Sequence, residues 1–130
     1  VGRLAEPMGF EAFMQAFWKA VPRSFATLVG KAPETVRTVA YCTGSGASLA
    51  AKAFAMGADV YITGDVTHHA ALDVMGLGLT IDAGHRSLEE EMTRRAALAI
   101  EKRCAGQGLE VRFFESPDPM RAVLRDQAAL

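Results

Sequence analysis

The spacing of apolar residues along the chain predicts helices and strands that alternate over most of its length. Apolar side chains recur every three or four residues over residues 7–20, which predicts an amphipathic helix that Pro22 ends. Short runs of β-branched and aromatic residues predict strands instead. We expect five of these, at residues 25–29, 36–42, 58–63, 79–83 and 109–114.

Further helices are predicted between these strands, where glycines mark their ends. They cover residues 49–56, 67–75 and 88–104. Ser87 and Glu90 have the spacing of a capping box, so we expect the longest helix to begin next to them. The tail from Ser116 contains two prolines and then a stretch, residues 120–130, that is compatible with a short helix.

The order of these elements predicts an α/β fold in a single domain over residues 1–130. From residue 36 onward a strand is followed by a helix, which favours right-handed crossovers and a mostly parallel or mixed sheet flanked by helices. A length of 130 residues suits one such domain. We expect the final strand, residues 109–114, to be an antiparallel edge.

Composition excludes several classes of partner. Half of the residues are apolar and 22% are charged, which is typical of a folded globular domain. The net charge of −1 gives no basic field that would attract a nucleic acid. No apolar run reaches the roughly 18 residues of a membrane span. Cys42 and Cys104 form no CxxC pattern and are expected to be free thiols, so with no recognisable signal sequence we expect a cytoplasmic protein.

Three predicted strands end in segments rich in glycine and in side chains that carry chemistry. These segments are CTGSGAS, TGDVTHH and AGHRSLEEE. The carboxyl ends of neighbouring parallel strands meet at one edge of a sheet, and ligands of such folds bind in the crevice there. If the three strands are neighbours, the sequence predicts a functional site at this edge.

Two of these segments allow both a structural and a functional role. Gly44, Ser45 and Gly46 could present backbone N–H groups to an anion, although a tight strand-to-helix turn is the more common use of such glycines. Asp65 suits either a helix N-cap or a carboxylate that acts in catalysis. His68 is a second acid/base candidate, a few residues further on.

All three histidines of the chain lie between residues 68 and 85. His68 and His69 are adjacent, so on a helix their side chains point about 100° apart and do not easily bind one metal. His85 and Glu89 are four residues apart, and an imidazole with a carboxylate suits a divalent ion of Zn, Fe, Mn, Co or Ni. The structural alternatives are a hydrogen-bonded turn for His85 and a favourable helix-dipole interaction for Glu89.

The segments GRLAEPM, VAYCTGSGAS, GADVYITGDVTHHAALD and IDAGHRSLE resemble, in order and spacing, the C-terminal half of the NIF3 family. Members of this family are dinuclear-metal-centre proteins, also described as GTP cyclohydrolase 1 type 2 homologues. The resemblance implies two similar α/β halves, the N-terminal one absent from this chain, and a homohexamer with a two-metal site inside. It implies that His85 and Glu89 are metal ligands, and that the remaining ligands belong to the N-terminal half. It assigns no invariant ligand to His68 or His69.

Three hypotheses about function follow. The first is a metal-dependent hydrolase that acts on a nucleotide or phosphoester-like small molecule, with Asp65 or His68 as acid/base group and residues 44–46 holding a phosphate. The second is a non-catalytic module for oligomeric assembly or partner binding, with an incomplete metal site. The third is a metal-free subunit whose histidines no longer have a function.

Overall fold

The computed structural model describes residues 1–120, which form one mixed five-stranded sheet flanked by helices. The strands are β1 (Gly2–Gly9), β2 (Thr27–Val29), β3 (Thr35–Ser45), β4 (Val60–Gly64) and β5 (Leu79–Asp82). The helices are α1 (Phe10–Ala20), α2 (Ala50–Ala55), α3 (His68–Val74) and α4 (His85–Arg103). A single 3-10 turn, Ala47–Leu49, precedes α2. No helix within residues 1–120 is long and apolar enough to cross a membrane.

The strand order in the sheet is β1-β3-β4-β5-β2, and its centre is parallel. β3, β4 and β5 run in the same direction, whereas β1 and β2 pair antiparallel to them at the two edges. At the carboxyl ends Ser45 lies beside Gly64, and Thr63 lies beside Asp82. The prediction that the segments after these three strands share one edge of a sheet is therefore confirmed.

Both sides of β4 are buried because helices cover both faces of the sheet. Val60 and Ile62 face a core that includes Phe13 and Phe17 of α1. Tyr61 faces the opposite side, where the second core consists of Ala40, Ala50, Ala53 and Val74. Every residue of β4 is buried, as expected for the central strand of a parallel sheet.

The strand β1 was not predicted, and the helix that was expected from residue 7 begins at Phe10 instead. Most side chains of β1 are exposed, so its sequence carries no alternation of apolar and polar residues. Its backbone pairing with β3 holds it in place. Pro7 lies where this pairing is irregular, between Arg3 and Met8, which is a position that proline tolerates at a sheet edge.

Two further expectations at the C-terminal side are wrong. Residues 109–114 form no strand, and their apolar residues Leu109 and Phe114 are exposed, with Phe114 80% accessible. The helix α4 begins at His85, and Ser87 is buried inside its first turn instead of capping it. The N-cap position belongs to Gly84, whose φ of 77° requires glycine. The short helix expected at residues 120–130 lies outside the described residues except at its first position.

Candidate metal-binding site

At the carboxyl edge of the sheet the imidazole of His85 lies between two carboxylates. His85 Nδ1 donates to Asp65 Oδ2 at 2.6 Å, and His85 Nε2 lies 3.2 Å from Glu89 Oε1. Glu89 follows His85 by one turn of α4, while Asp65 comes from the loop after β4. About half of each of these three side chains is exposed to solvent. The structure thus brings together three residues that the sequence analysis singled out.

A third carboxylate, Asp82, fixes the two loops that carry Asp65 and His85. Its Oδ2 accepts from the Val66 N–H at 2.9 Å, and its Oδ1 accepts from the Gly84 N–H at 2.8 Å. The loop after β4 and the start of α4 are thereby tied to the end of β5. No role was predicted for Asp82 from the sequence, although a carboxylate at the next-to-last position of a predicted strand, two residues before a glycine, is a usable signal.

Asp65 itself has a backbone conformation that is unusual for a side-chain-bearing residue. Its φ is 53°, and within residues 1–120 it is the one residue other than glycine with a positive φ. This left-handed conformation is uncommon outside glycine, although aspartate adopts it more readily than most residues. In this conformation the carboxylate of Asp65 bonds His85, and such conformations often occur at functional sites.

Two glycines allow the close approach of the strands to α4. A Cβ at Gly64 would lie 2.7 Å from both the Gly84 carbonyl carbon and the His85 nitrogen. A Cβ at Gly44 would lie 2.9 Å from Glu89 Oε1 and 3.3 Å from His85 Nε2. Gly64 therefore admits the backbone of α4, and Gly44 leaves space directly beside the imidazole–carboxylate pair.

The backbone groups of the loop at residues 44–46 point mostly into the protein. The Gly46 N–H donates to Thr63 Oγ1 at 2.9 Å, and the Thr63 hydroxyl donates to the Gly44 carbonyl at 3.1 Å. The Tyr61 hydroxyl donates to the Gly46 carbonyl at 2.7 Å, and burial raises the pKa of this phenol, which keeps it protonated. The Gly46 N–H is thus not free for an anion. A phosphate-binding role for Gly44, Ser45 and Gly46 stays a prediction.

The adjacent histidines lie away from this arrangement. His68 and His69 begin α3, where Thr67 Oγ1 caps the helix by accepting from the Ala70 N–H at 3.3 Å. Their rings are nearly perpendicular, with centroids 6.2 Å apart, and both side chains are exposed. Neither lines the cleft at the sheet edge. The acid/base role of His68 gains no support from this position and stays a prediction.

A cleft of about 790 Å³ opens above the sheet edge. Its polar lining includes Arg23, Asp65, Asp82, His85, Glu89 and Glu90. Residues 116–120 border it, because Glu90 accepts from both the N–H and the hydroxyl of Ser116, and Arg86 bonds the Ser116 carbonyl. A small-molecule ligand would have access to the His85–Glu89 pair through this cleft.

The neighbouring carboxylates favour the protonated form of His85. The hydrogen bond to Asp65 is the main cause that raises the pKa of His85 above its ordinary value, and the charge of Glu89 adds to it. The protonated imidazole carries a second ring proton on Nε2, and a divalent ion at Nε2 would compete with that proton. Metal binding at His85 should therefore weaken as the pH falls through the raised pKa.

Asp65→Asn tests this electrostatic coupling. The substitution should lower the pKa of His85, because an amide oxygen stabilises an imidazolium less than a carboxylate does. It should also weaken metal binding at pH 8 by about 10–100-fold, since the partner that orients the imidazole is lost. NMR titration of the His85 ring nitrogens and calorimetric metal titration measure the two effects. The exposed Asp73→Asn is the control, and an unchanged His85 pKa in Asp65→Asn would contradict the coupling.

The donor atoms fit one part of a metal site. His85 Nε2 and Glu89 Oε1 lie next to each other in the space beside Gly44. Asp65 bonds the other ring nitrogen of His85, as carboxylates commonly do when an imidazole binds a metal. Over residues 1–120, however, no group of three or more His, Cys, Asp or Glu side chains is arranged to hold an ion. The described residues thus offer two ligands, and a complete site needs others.

These observations define an α/β domain whose sheet edge carries an imidazole–carboxylate pair in an open cleft. The chain belongs to the family described as Duf34/NIF3 (NGG1p interacting factor 3), whose sequence model matches residues 1–119. The resemblance noted in the sequence is thereby confirmed.

Individual relatives agree with this assignment. A GTP cyclohydrolase 1 type 2 homolog from Listeria monocytogenes is 32% identical over 117 residues, covering 89% of this chain and 31% of the relative. The homolog from Pseudomonas aeruginosa is 31% identical over 120 residues, covering 92% and 46%. The crystal structure of a Bacillus cereus protein related to NIF3 superposes with a TM-score of 0.78 at 32% identity, covering 94% of this chain and 35% of that protein. The chain thus spans less than half the length of these relatives.

Proposed function

We propose that this chain supplies His85 and Glu89 as two ligands of a divalent-metal site, and that the site serves the hydrolysis of a nucleotide or phosphoester-like substrate. The observation that carries the proposal is the 3.2 Å approach of His85 Nε2 to Glu89 Oε1, with His85 Nδ1 held by Asp65. The relatives are named GTP cyclohydrolase 1 type 2 homologs, which supports a nucleotide as the substrate class.

Asp65, His85 and Glu89 each have a defined task in this proposal. Asp65 keeps the proton of His85 on Nδ1, so that the lone pair of Nε2 faces Glu89 and the cleft. The imidazole and the carboxylate together suit Zn, Fe, Mn, Co or Ni. When bound, such ions supply Lewis acidity and positive charge for the attack of water on a C–N or phosphate-ester bond. Since Asp65 is bonded to His85, we assign it to positioning and not to proton transfer.

Two ligands alone are too few for a dinuclear centre, so we propose that others come from outside residues 1–120. They would belong to another part of the protein or to a second copy in a homo-oligomer, which agrees with the hexamer that the resemblance implies. A cytoplasmic location is part of the same proposal.

The hydrolase proposal is tested by assaying the metal-loaded protein against a panel of nucleotides and phosphate esters. Release of phosphate or ring opening should require the metal and should stop after chelation. A second candidate function, a non-catalytic assembly or partner-binding module, is favoured by the absence of a third ligand within the described residues. Full metal occupancy without turnover of any compound would favour that alternative.

A further inference from the structure

The loop between α1 and β2 places a cation, Arg23, at the start of α4. The guanidinium carbon of Arg23 lies 4.1 Å from the ring centroid of Phe25, which fixes the side chain by a cation–π contact. A Cβ at Gly84 would overlap the guanidinium, so the group lies directly against the backbone that precedes His85. Arg23 lines the same cleft as His85 and Glu89.

Within residues 1–120 the charge of Arg23 has no carboxylate partner. Other arginines on and near α4, at positions 86, 94, 95 and 112, form ion pairs with glutamates. The carboxylates that line the cleft are engaged by other groups. His85 bonds Asp65 and Glu89, the backbone of Val66 and Gly84 bonds Asp82, Arg86 and Ser116 bond Glu90, and the Met120 N–H bonds Asp118. Arg23 is therefore a positioned cation with unused hydrogen-bond donors in a ligand-sized cleft.

A purely structural role explains this position poorly. The N-terminus of a helix is the positive end of its dipole, so an arginine there adds positive charge where a carboxylate would be favourable. The N-cap residue Gly84 has no side chain that could compensate. The contact with Phe25 accounts for the position of Arg23 and leaves its guanidinium N–H donors without an acceptor among residues 1–120.

We propose that Arg23 binds an oxyanionic group of the substrate, a phosphate or a carboxylate, and that it makes the site selective for anionic substrates. The planar guanidinium presents paired N–H donors that match two oxygens of such a group. This inference rests on the proposed function, because the charge of a bound divalent ion offsets the carboxylates that would otherwise repel an anion.

The test compares Arg23→Gln with Arg103→Gln, an exposed arginine at the far end of α4. Each purified protein is loaded with Mn²⁺, freed of excess metal and titrated with inorganic phosphate, and separately with acetate, by calorimetry. Arg23→Gln should weaken phosphate binding about tenfold or more, as expected when a charge-assisted bidentate contact is lost. Arg103→Gln should bind as the unsubstituted protein does, and Arg23→Lys should be intermediate.

The outcomes separate this inference from the metal proposal. Equal affinity of Arg23→Gln and the unsubstituted protein for both phosphate and acetate would overturn it, as would the failure of the unsubstituted protein to bind either anion. An effect of Arg23 on acetate alone would support it and identify the group as a carboxylate. Metal content is measured on the same samples: anion binding that depends on Arg23 in protein that retains no Mn²⁺ would support the anion site, and the missing Mn²⁺ would count against the metal site alone.

Discussion

His85→Asn and Glu89→Gln are each expected to lower the affinity of the protein for divalent metal by about a hundredfold or more. Removal of residues that only orient metal ligands commonly costs 10–100-fold, and these substitutions remove the donor atoms themselves. His85 Nε2 and Glu89 Oε1 lie side by side, so the loss of either leaves the other without its partner in the site. Metal titration by calorimetry and metal content by mass spectrometry measure the effect.

The matched controls for these substitutions are a histidine on α3 and a glutamate on α4. His69→Asn removes a more conspicuous histidine that lies outside the cleft, and Glu101→Gln removes an exposed carboxylate further along α4. Both should retain metal binding, and all four variants should keep their circular-dichroism melting curves, since His85 and Glu89 are half exposed. Loss of metal in His69→Asn with retention in His85→Asn would contradict the assignment.

Gly64→Ala is expected to destabilise the protein by about 1–3 kcal/mol, the usual cost of an overpacked core position. The added methyl would meet the backbone of Gly84 and His85 at 2.7–2.8 Å, and a backbone cannot rotate away as a side chain can. Either β4 or the start of α4 must move, which displaces His85 from Asp65. Urea unfolding measures the stability, and the His85 ring resonances report the displacement.

Gly76→Ala is the matched control for Gly64→Ala. No atom lies within 4 Å of the position of its added Cβ, and its φ is not in the left-handed region. The substitution should be neutral or stabilising by about 0.4–1 kcal/mol, because alanine restricts the unfolded chain. If Gly64→Ala were as stable as Gly76→Ala, with unshifted His85 resonances, the close approach of β4 to α4 would be wrong.

The central part of the fold was predictable because its signals are local. The strands β3, β4 and β5 are rich in β-branched and aromatic residues, and glycines separate them from helices. Their alternation with helices requires a parallel arrangement, and that arrangement alone brings Asp65 and His85 to one edge. The proximity of Asp65 and His85 at the sheet edge was therefore predictable from the topology.

The features that sequence analysis missed depend on non-local contacts. The strand β1 is held by backbone pairing with β3 and buries few side chains, so hydrophobic patterning does not detect it. Residues 109–114 have the composition of a strand but pair with no neighbour among the described residues. Arg23 lies in a loop without a motif, 62 positions before His85, and only the folded chain places it over Gly84.

Anomalous diffraction from crystals of the protein grown with Co²⁺ or Zn²⁺, measured at the absorption edge of the metal, tests the central claim most directly. We expect an anomalous peak about 2.0–2.1 Å from His85 Nε2 and about 2.0–2.2 Å from a carboxylate oxygen of Glu89. Asp65 should remain bonded to His85 Nδ1. A metal bound at His68 and His69, with His85 Nε2 and Glu89 free of it, would contradict the account.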